Sequence, residues 1–573
     1  TLENRDFEHS MNHKASTYLL FVLIAVLALW IFVPSFSYDY LILYDDGPLI
    51  LENKAVLAKS WARIQVAFSE FVYGLYHPLT SLSFAYNYDW FDSSARSMHI
   101  INFLVHLLNG LLVYLLLQHF LKERLFSLLG CALFLVHPLH LESVVWLSER
   151  KDLLYTFFLL LAFLSYLRWR LKSDTKWFVF TILLFLASLL SKSAAVVFPL
   201  LILSYLFLWE RKRAFKDYFH TLVLFVLSFV FGIINLLAQY EAGFIRELQE
   251  FSFIDRFFLL SYSFDYYILS FVWPFFASPK HFYPKLNDGL LSWEFYASFL
   301  LLISIAFICA RVWKHHQKKL LGLFLFALAI LPVLKIIPTG NDLVSDRYTY
   351  LPYFGLILFF FAFLQDAVKT QKHKNFAILG LSIVVLSFSF FSKNYQMVWE
   401  TEERIWTKVL RDNPNHSVPY TERGRFYIVH SEYERALFDL NKAIEIDDKN
   451  SLAWNNRASA FAGLGRVQEA VEDFDRAIEL DPDYAFAYSN RGIELFKMGF
   501  ADKAMEDFNR AIDLEPENAG HYNNKGIALA QGGDLASAVT LFKKALELSP
   551  GHSDARLNYN RAISLLSKEK PIE

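Results

Sequence analysis

The sequence predicts an all-α protein in two unlike parts, a polytopic bundle of membrane helices followed by an α-solenoid. Three observations carry this. Of 573 residues, 55% are hydrophobic and 18% aromatic, too apolar for a soluble chain of this length. The apolar residues come in long blocks, which recur up to Ser392 and stop there. Beyond that point the same residue types return every 34 positions, at Asn413, Asp447, Asp481, Glu515 and Ser549.

Apolar runs of membrane-crossing length are expected near 17–33, 99–121, 125–141, 152–169, 176–191, 194–209, 218–238, 294–311, 320–337, 348–365 and 375–392. Phe257–Trp273 is short and interrupted by Asp265, and reads as a re-entrant or interfacial segment. The first sixteen residues are polar and hold no small-residue cleavage site, so Thr17–Val33 reads as a retained span. Orientation follows from the cations. Arg168/Arg170/Lys172/Lys176, Arg211/Lys212/Arg213/Lys216, Arg311/Lys314/Lys318/Lys319 and Lys369/Lys372/Lys374 sit in short loops, and such loops stay in the cytoplasm. All four lie inside only if Phe257–Trp273 does not cross. That gives about eleven spans, with the N-terminus cytoplasmic and the C-terminus outside. A net charge of −2 implies no nucleic-acid partner. Cys131 and Cys309 both lie inside apolar runs, which argues against a disulfide framework.

The periodic part repeats its details as well as its period. Trp454, Ala458, Phe461, Ala470, Phe474, Ala477 and Pro482 return as Tyr488, Gly492, Leu495, Ala504, Phe508, Ala511 and Pro516. They return again as Tyr522, Gly526, Leu529, Ala538, Phe542, Ala545 and Pro550, and an earlier copy holds Tyr420, Gly424, Tyr427, Ala436 and Ala443. Small residues where two helices touch, aromatics between them and a turn with Pro are the tetratricopeptide pattern. Repeats are expected near 417–450, 451–484, 485–518 and 519–552, with a closing helix at 554–567 and a half repeat at Trp399–Leu410. The domains are then 1–393, including a first outer loop at 34–98, and 394–573.

Ionisable groups near membrane depth are costly, so they mark function or pairing. Four clusters fall on the outer side of this topology. Asp45-Asp46, with Asp39 nearby, offers a carboxylate base for a hydroxyl nucleophile, or simply a solvated turn at Asp46-Gly47-Pro48. His137-Pro138-Leu139-His140-Leu141-Glu142 leads on to Ser148-Glu149-Arg150-Lys151-Asp152. His137, His140 and Glu142 read as a buried hydrogen-bond network in preference to a metal site, because no further ligand pattern accompanies them. His106 reads as a bond to a neighbouring helix. Ser191-Lys192-Ser193 and the stretch from Pro338 through Asp346-Arg347-Tyr348 complete the set, with His77 and Asp346 as further polar cavity residues. Arg150, Lys151, Lys192 and Arg347 would hold a phosphate, or serve as plain interfacial anchors. A carboxylate base and a phosphate clamp together suit glycosyl transfer from a lipid-linked phosphate.

The ordered motifs resemble the transmembrane and tetratricopeptide-repeat (TMTC-like) O-mannosyltransferases of the GT-C glycosyltransferase class. The matching pieces are Tyr44-Asp45-Asp46, His77-Pro78-Leu79-Thr80, His137 to Val144, Ser148 to Leu154, Leu190-Ser191-Lys192 and Asp346-Arg347-Tyr348-Thr349-Tyr350-Leu351-Pro352. The resemblance implies that the first-loop acidic pair holds the catalytic carboxylate. His77 stands where such proteins usually carry Arg, and Ser193 where Glu or Pro is common. The Ser-Glu-Arg-Lys-Asp form has a bacterial look, which points to the inner membrane and a periplasmic solenoid.

The expectation is an inverting membrane glycosyltransferase. It takes a polyprenyl-phosphate-linked sugar and a protein or glycan acceptor on the extracytoplasmic side, and meets membrane lipid and a protein partner through its repeats. Asp45 is the base, with Asp46 as its partner or a metal ligand; a divalent metal is allowed but not favoured. Asn455, Asn490 and Asn523, from the first helix of successive repeats, are expected to meet the acceptor or partner. The alternative is a membrane-anchored scaffold for envelope assembly, without catalysis.

Overall fold

The structure is a computed structural model that describes residues 2–210, 215–243, 251–286, 288–334, 336, 342–549 and 551–569. The chain divides into two compact units. One comprises Thr1–Leu41, Pro48–Ile50 and Ser60–Glu400. The other comprises Ile42–Gly47, Leu51–Lys59 and Thr401–Glu573.

The first unit is a bundle of apolar helices. Among the described residues, six are long and apolar enough to cross a membrane: Ser16–Ser37, Ala95–Leu121, Leu147–Lys172, Tyr218–Glu241, Trp293–Val333 and Gln371–Glu400. Arg124–Val136 and Pro138–Val145, bent by 51° at Pro138, make a seventh if they form one span. Thr175–Ser191, Ser193–Leu208 and Pro352–Ala367 are shorter apolar helices.

The helix Trp293–Ile330 is broken at His316, where φ is −128° and ψ is 20°. The Trp313 and Phe324 rings lie 5.7 Å apart, whereas a straight helix would separate these residues by about 16 Å. The chain therefore doubles back at His316, and its halves correspond to the two apolar runs read from the sequence. The second half crosses Pro352–Ala367 at Gly322 and Gly355. A Cβ on either glycine would overlap the backbone of the opposing helix, so this is a close crossing of small residues.

Phe253–Val272 is one continuous 20-residue helix, opened by a Ser252–Asp255 capping box. Asp265 does not interrupt it; the carboxylate is buried inside. The helix packs its Phe257, Phe258 and Tyr262 rings on Phe299, Tyr296 and Phe295. It is not among the helices apolar enough to cross. Two short strands, His281–Phe282 and Asp342–Val344, pair antiparallel. Pro338–Asn341, singled out in the sequence, lies outside the described residues.

In the second unit, helix pairs stack in sequence order. They are Ser417–Val429 with Tyr433–Ile446, Ser451–Gly463 with Val467–Leu480, Ala485–Lys497 with Ala501–Leu514, and Ala519–Gln531 with Leu535–Leu548. Glu402–Asp412 precedes them and Ser553–Glu569 follows. Packing explains the repeated residues. A Cβ on Gly492 or Gly526 would press on Phe508 or Phe542, so the first helix of each pair stays bare there. The turn between paired helices needs a left-handed residue, supplied by Gly465, Gly499 and Gly533 and, in the first pair, by Ser431 at φ 60°.

Two polar systems fasten the stack. Arg423, Arg457 and Arg491 each grip, with a forked guanidinium, the aspartate sixteen residues on: Asp439, Asp473 and Asp507. The same arginines reach back to Thr407, Asn441 and Asp475. The second system links successive pairs: Asn490 donates to Asn455 Oδ1 at 3.2 Å, Asn524 to Ser489 Oγ at 3.0 Å, and Asn558 to Asn523 Oδ1 at 3.0 Å. This corrects the expectation that Asn455, Asn490 and Asn523 form an open ligand face. Asn455 and Asn523 are only 5% exposed, Asn490 is half-buried, and each of the three takes part in a hydrogen bond between successive repeats.

Part of the first outer loop also belongs to this unit. The Leu43 N–H donates to Glu402 Oε1 at 3.1 Å, and the Tyr44 ring lies 5.6 Å from Trp406. Leu43 packs against the Phe426, Tyr427 and Leu440 cluster, and Leu57 approaches Gly551. The segment after the first apolar helix and the repeats after the last one therefore pack as one unit.

Candidate active site

The membrane unit gathers its charges where three short turns meet. Leu147–Glu149 is a single tight turn between extended Trp146 and the helix Arg150–Lys172. Lys192 is the extended residue between Thr175–Ser191 and the turn Ser193–Val197. Asp346–Thr349 is a further tight turn leading into Pro352–Ala367.

Glu149 is the hub. Its Oε1 lies 2.9 Å from Lys151 Nζ and 3.3 Å from Arg347 Nε, and its Oε2 lies 3.8 Å from Lys192 Nζ. Lys192 also meets Asp152 Oδ1 at 2.5 Å. Arg347 donates from Nη1 to Glu142 Oε1 at 2.5 Å and from its backbone N–H to Glu142 Oε2 at 3.1 Å. Glu149, Asp152 and Glu142 are 1–3% exposed, whereas Lys151, Lys192 and Arg347 are 8%, 12% and 16% exposed. The carboxylates thus form the floor, with the cations less deeply buried above it and Lys192 and Arg347 the most accessible. Trp146 and Tyr348 wall the group, with Arg347 over both rings and Lys192 over Tyr348.

Arg150 does not join this layer, which corrects its assignment as a phosphate ligand. Its side chain is fully buried. Nε donates to Asn102 Oδ1 at 2.7 Å, Nη2 to Asn87 Oδ1 at 3.0 Å and Met98 O at 3.1 Å, and Nη1 to Ser83 O at 3.2 Å. The guanidinium also sits over the Phe84 ring. Its donors are spent on the frame that carries Lys151. The sequence gives Arg150 and Lys151 equal standing, because helical phase at a turn decides which of two neighbours faces inward.

Beside Lys151 lies a cavity of about 20 Å³, room for one oxygen-sized group, lined by His77, Thr80, Ser81, Ser148 and Lys151 among others. His77 Nε2 is buried and has no hydrogen-bond partner among the described residues. Burial, then Lys151 and Lys192, hold the imidazole well below its ordinary pKa, so it stays neutral near pH 7. Thr80 donates to Ser191 O at 2.9 Å and ties this corner to the Lys192 turn.

Asp346 anchors the other flank. Its Oδ1 accepts from Tyr266 at 2.6 Å and from His281 Nε2 at 3.3 Å, and its Oδ2 accepts from the Ser278 N–H at 3.1 Å. Burial works to lower the His281 pKa, and the Asp346 carboxylate overcomes this and raises it above the ordinary value. Sequence reasoning missed His281 and Tyr266. Neither sits in a motif, and the pairing of two short strands that places His281 leaves no periodic signal.

His137 and His140 serve the interior. His137 donates to Phe271 O at 3.3 Å and His140 to Phe134 O at 2.8 Å. His106 bridges Tyr350 and Leu135. Among the described residues no three His, Cys, Asp or Glu side chains are grouped to hold a metal. Asp45 and Asp46 belong to the other unit. Asp46 is buried and Asp45 partly so. They sit at a tight bend that only glycine closes, since a Cβ on Gly47 would strike Ile42 O.

The chain is a helical membrane unit with a charged cluster at the ends of its helices, followed by tetratricopeptide repeats. Residues 78–234 match the family described as dolichyl-phosphate-mannose-protein mannosyltransferase, and 451–484 and 490–553 match tetratricopeptide-repeat families. The chain is 38% identical over 129 residues to protein O-mannosyl-transferase Tmtc1 of Drosophila melanogaster, covering 22% of this chain and 15% of that protein. It is 24% identical over 411 residues to protein O-mannosyl-transferase F38B6.6 of Caenorhabditis elegans, covering 67% and 56%. It is 23% identical over 472 residues to human protein O-mannosyl-transferase TMTC3, covering 74% and 51%. The chain thus spans about half the length of those last two relatives. Among solved structures, MamA aligns at 32% identity over 26% of this chain and 85% of that one, with a TM-score of 0.22. In its membrane residues and its repeats alike, the chain is similar to these protein O-mannosyl-transferases.

Proposed function

We propose that the protein transfers a sugar from a polyprenyl-phosphate donor to a hydroxyl on a protein or glycan, on the extracytoplasmic side of a bacterial inner membrane. The observation that carries this reading is the layer of three cations, buried Lys151 and partly exposed Lys192 and Arg347, above a more deeply buried carboxylate floor. Cations held by buried partners are preorganised, and preorganised charge is what a departing phosphate needs. The chemistry asks for a base as well. Asp45, with Asp46 as its partner, removes the acceptor proton in this reading, and the hydroxyl attacks the anomeric carbon with inversion as the phosphate leaves. Those roles rest on chemistry and on the family resemblance. The orientation rests on the cationic loops and puts the N-terminus in the cytoplasm. The repeats, on the same side as Asp45, engage the acceptor or a protein partner.

The test is transfer by the purified full chain from a labelled polyprenyl-phosphate sugar, with mass spectrometry of envelope glycans and glycoproteins from cells with and without the gene to name the acceptor. Label transfer and a matching loss of one glycan support the reading. No transfer, with unchanged glycans, overturns it.

A further inference from the structure

The three cations of the cluster converge on one anion that the chain itself supplies. Among the described residues Glu149 alone touches all of them, while Glu142 holds Arg347 and Asp152 holds Lys192. The fit is incomplete. A carboxylate has two oxygens for three cations: Oε1 serves Lys151 and Arg347, and Oε2 stands 3.8 Å from Lys192, buried and without a hydrogen bond among the described residues.

Lys151, Lys192 and Arg347 are together matched in number by Glu142, Glu149 and Asp152. An entering phosphate therefore adds negative charge to a balanced group, and the nearest carboxylate must yield to it. Glu149 is that carboxylate. A phosphate monoester has three terminal oxygens, one for each cation, so it satisfies the Lys192 contact that the carboxylate leaves long.

We propose that Glu149 is a built-in competitor of the lipid phosphate, occupying the centre of the three cations until a phosphate displaces it. This deepens the glycosyltransferase reading and rests on it. Glu149 then sets the affinity for the donor, and above all for the polyprenyl phosphate left after transfer. A site plugged by its own carboxylate lets that product go, where three open cations would keep it.

The experiment measures binding of farnesyl phosphate to the purified full chain in detergent, with inorganic phosphate and farnesol as separate arms. Glu149→Gln removes the competing charge and keeps the shape, and should tighten farnesyl phosphate by about tenfold, the scale of one charge at partial burial. Glu149→Asp, which withdraws the carboxylate by one methylene, should tighten it less; it decides the matter in the same direction if the Gln variant fails to fold. A gain shared by inorganic phosphate, or found only with farnesyl phosphate, supports the proposal. A gain with farnesol as well overturns it. So does weaker or unchanged farnesyl phosphate binding in the Glu149 variants while Arg347→Ala loses it, and in that case the phosphate clamp stands. If Arg347→Ala changes nothing, the clamp itself fails and this proposal with it.

Discussion

Lys192 Nζ lies 2.5 Å from Asp152 Oδ1 and joins two turns forty residues apart in the chain. Asp152 in turn accepts from Ser143 Oγ at 3.3 Å, so the pair is braced on the Glu142 side as well. A lysine that only snorkelled to the interface would have no such partner. The contact makes Lys192 part of the site's frame and its charged layer at once.

The clamp reading sets an order among Arg347 variants. Arg347→Ala should weaken farnesyl phosphate binding more than Arg347→Lys, because lysine keeps a point charge but loses the fork that reaches both Glu142 and Glu149. Direct binding measurements decide it. Equal affinities in both variants and wild type would reduce Arg347 to an interfacial anchor.

Asp45→Asn removes a proton acceptor and almost no volume. Sugar transfer should fall by at least about a hundredfold, the usual scale of a lost general base, with expression and helix content unchanged. Asp46→Asn should cost less. Full transfer by Asp45→Asn would assign the base to another residue.

Arg150 should behave in the opposite way to its neighbour Lys151. Its guanidinium is buried among Asn102, Asn87, Met98 and Ser83. Arg150→Ala strands those acceptors and should cost about 3 kcal/mol or more of stability. Lys151→Ala leaves Arg347 and Lys192 beside the Glu149 carboxylate, so it should cost less stability than Arg150→Ala while lowering donor affinity. Unfolding curves and binding isotherms together separate the two roles.

The His281–Asp346 pair predicts a direction in pH. The folded pKa of His281 lies above its ordinary value, so protonation stabilises the fold. That contribution is fully present below the unfolded value of about 6.5 and fades as pH rises through the folded one. The wild type should therefore lose more thermal stability between pH 6 and pH 8 than His281→Gln does. Identical pH slopes would show that the pair contributes nothing.

Asn490→Ala breaks the bond to Asn455 between successive repeats. It should lower the unfolding temperature of the solenoid by an amount equivalent to about 1 kcal/mol, without changing the KM for acceptor. A raised KM at unchanged stability would restore the asparagine to a ligand face.

The repeats were legible because a strict 34-residue period repeats small, aromatic and turn residues at fixed places. The membrane helices were legible because apolar runs need no partner to be recognised. The break at His316 falls between the runs read at 294–311 and 320–337. The motifs also brought Lys151, Lys192, Arg347 and Glu142 to attention. The fate of individual members was not legible. Whether Arg150 or Lys151 faces the site depends on how a tight turn hands over to a helix. That the segments around Leu43 and Leu57 pack with the repeats depends on long-range contacts with Glu402, Trp406 and Gly551.

The arginine clasps of the solenoid do not run to its end. Lys525 occupies the place held by Arg423, Arg457 and Arg491 in earlier repeats. It reaches back to Asn509 at 2.7 Å, but sixteen residues ahead of it stands Leu541, which accepts nothing. Within its own helix pair the last repeat is closed by apolar packing alone at this position. In a stack where each repeat leans only on its neighbours, the weakest closure sets where opening begins. Amide hydrogens should exchange fastest in Leu535–Leu548 and more slowly toward Tyr433–Ile446, so that the array frays from its C-terminal end and stays shut beside Leu43 and Tyr44.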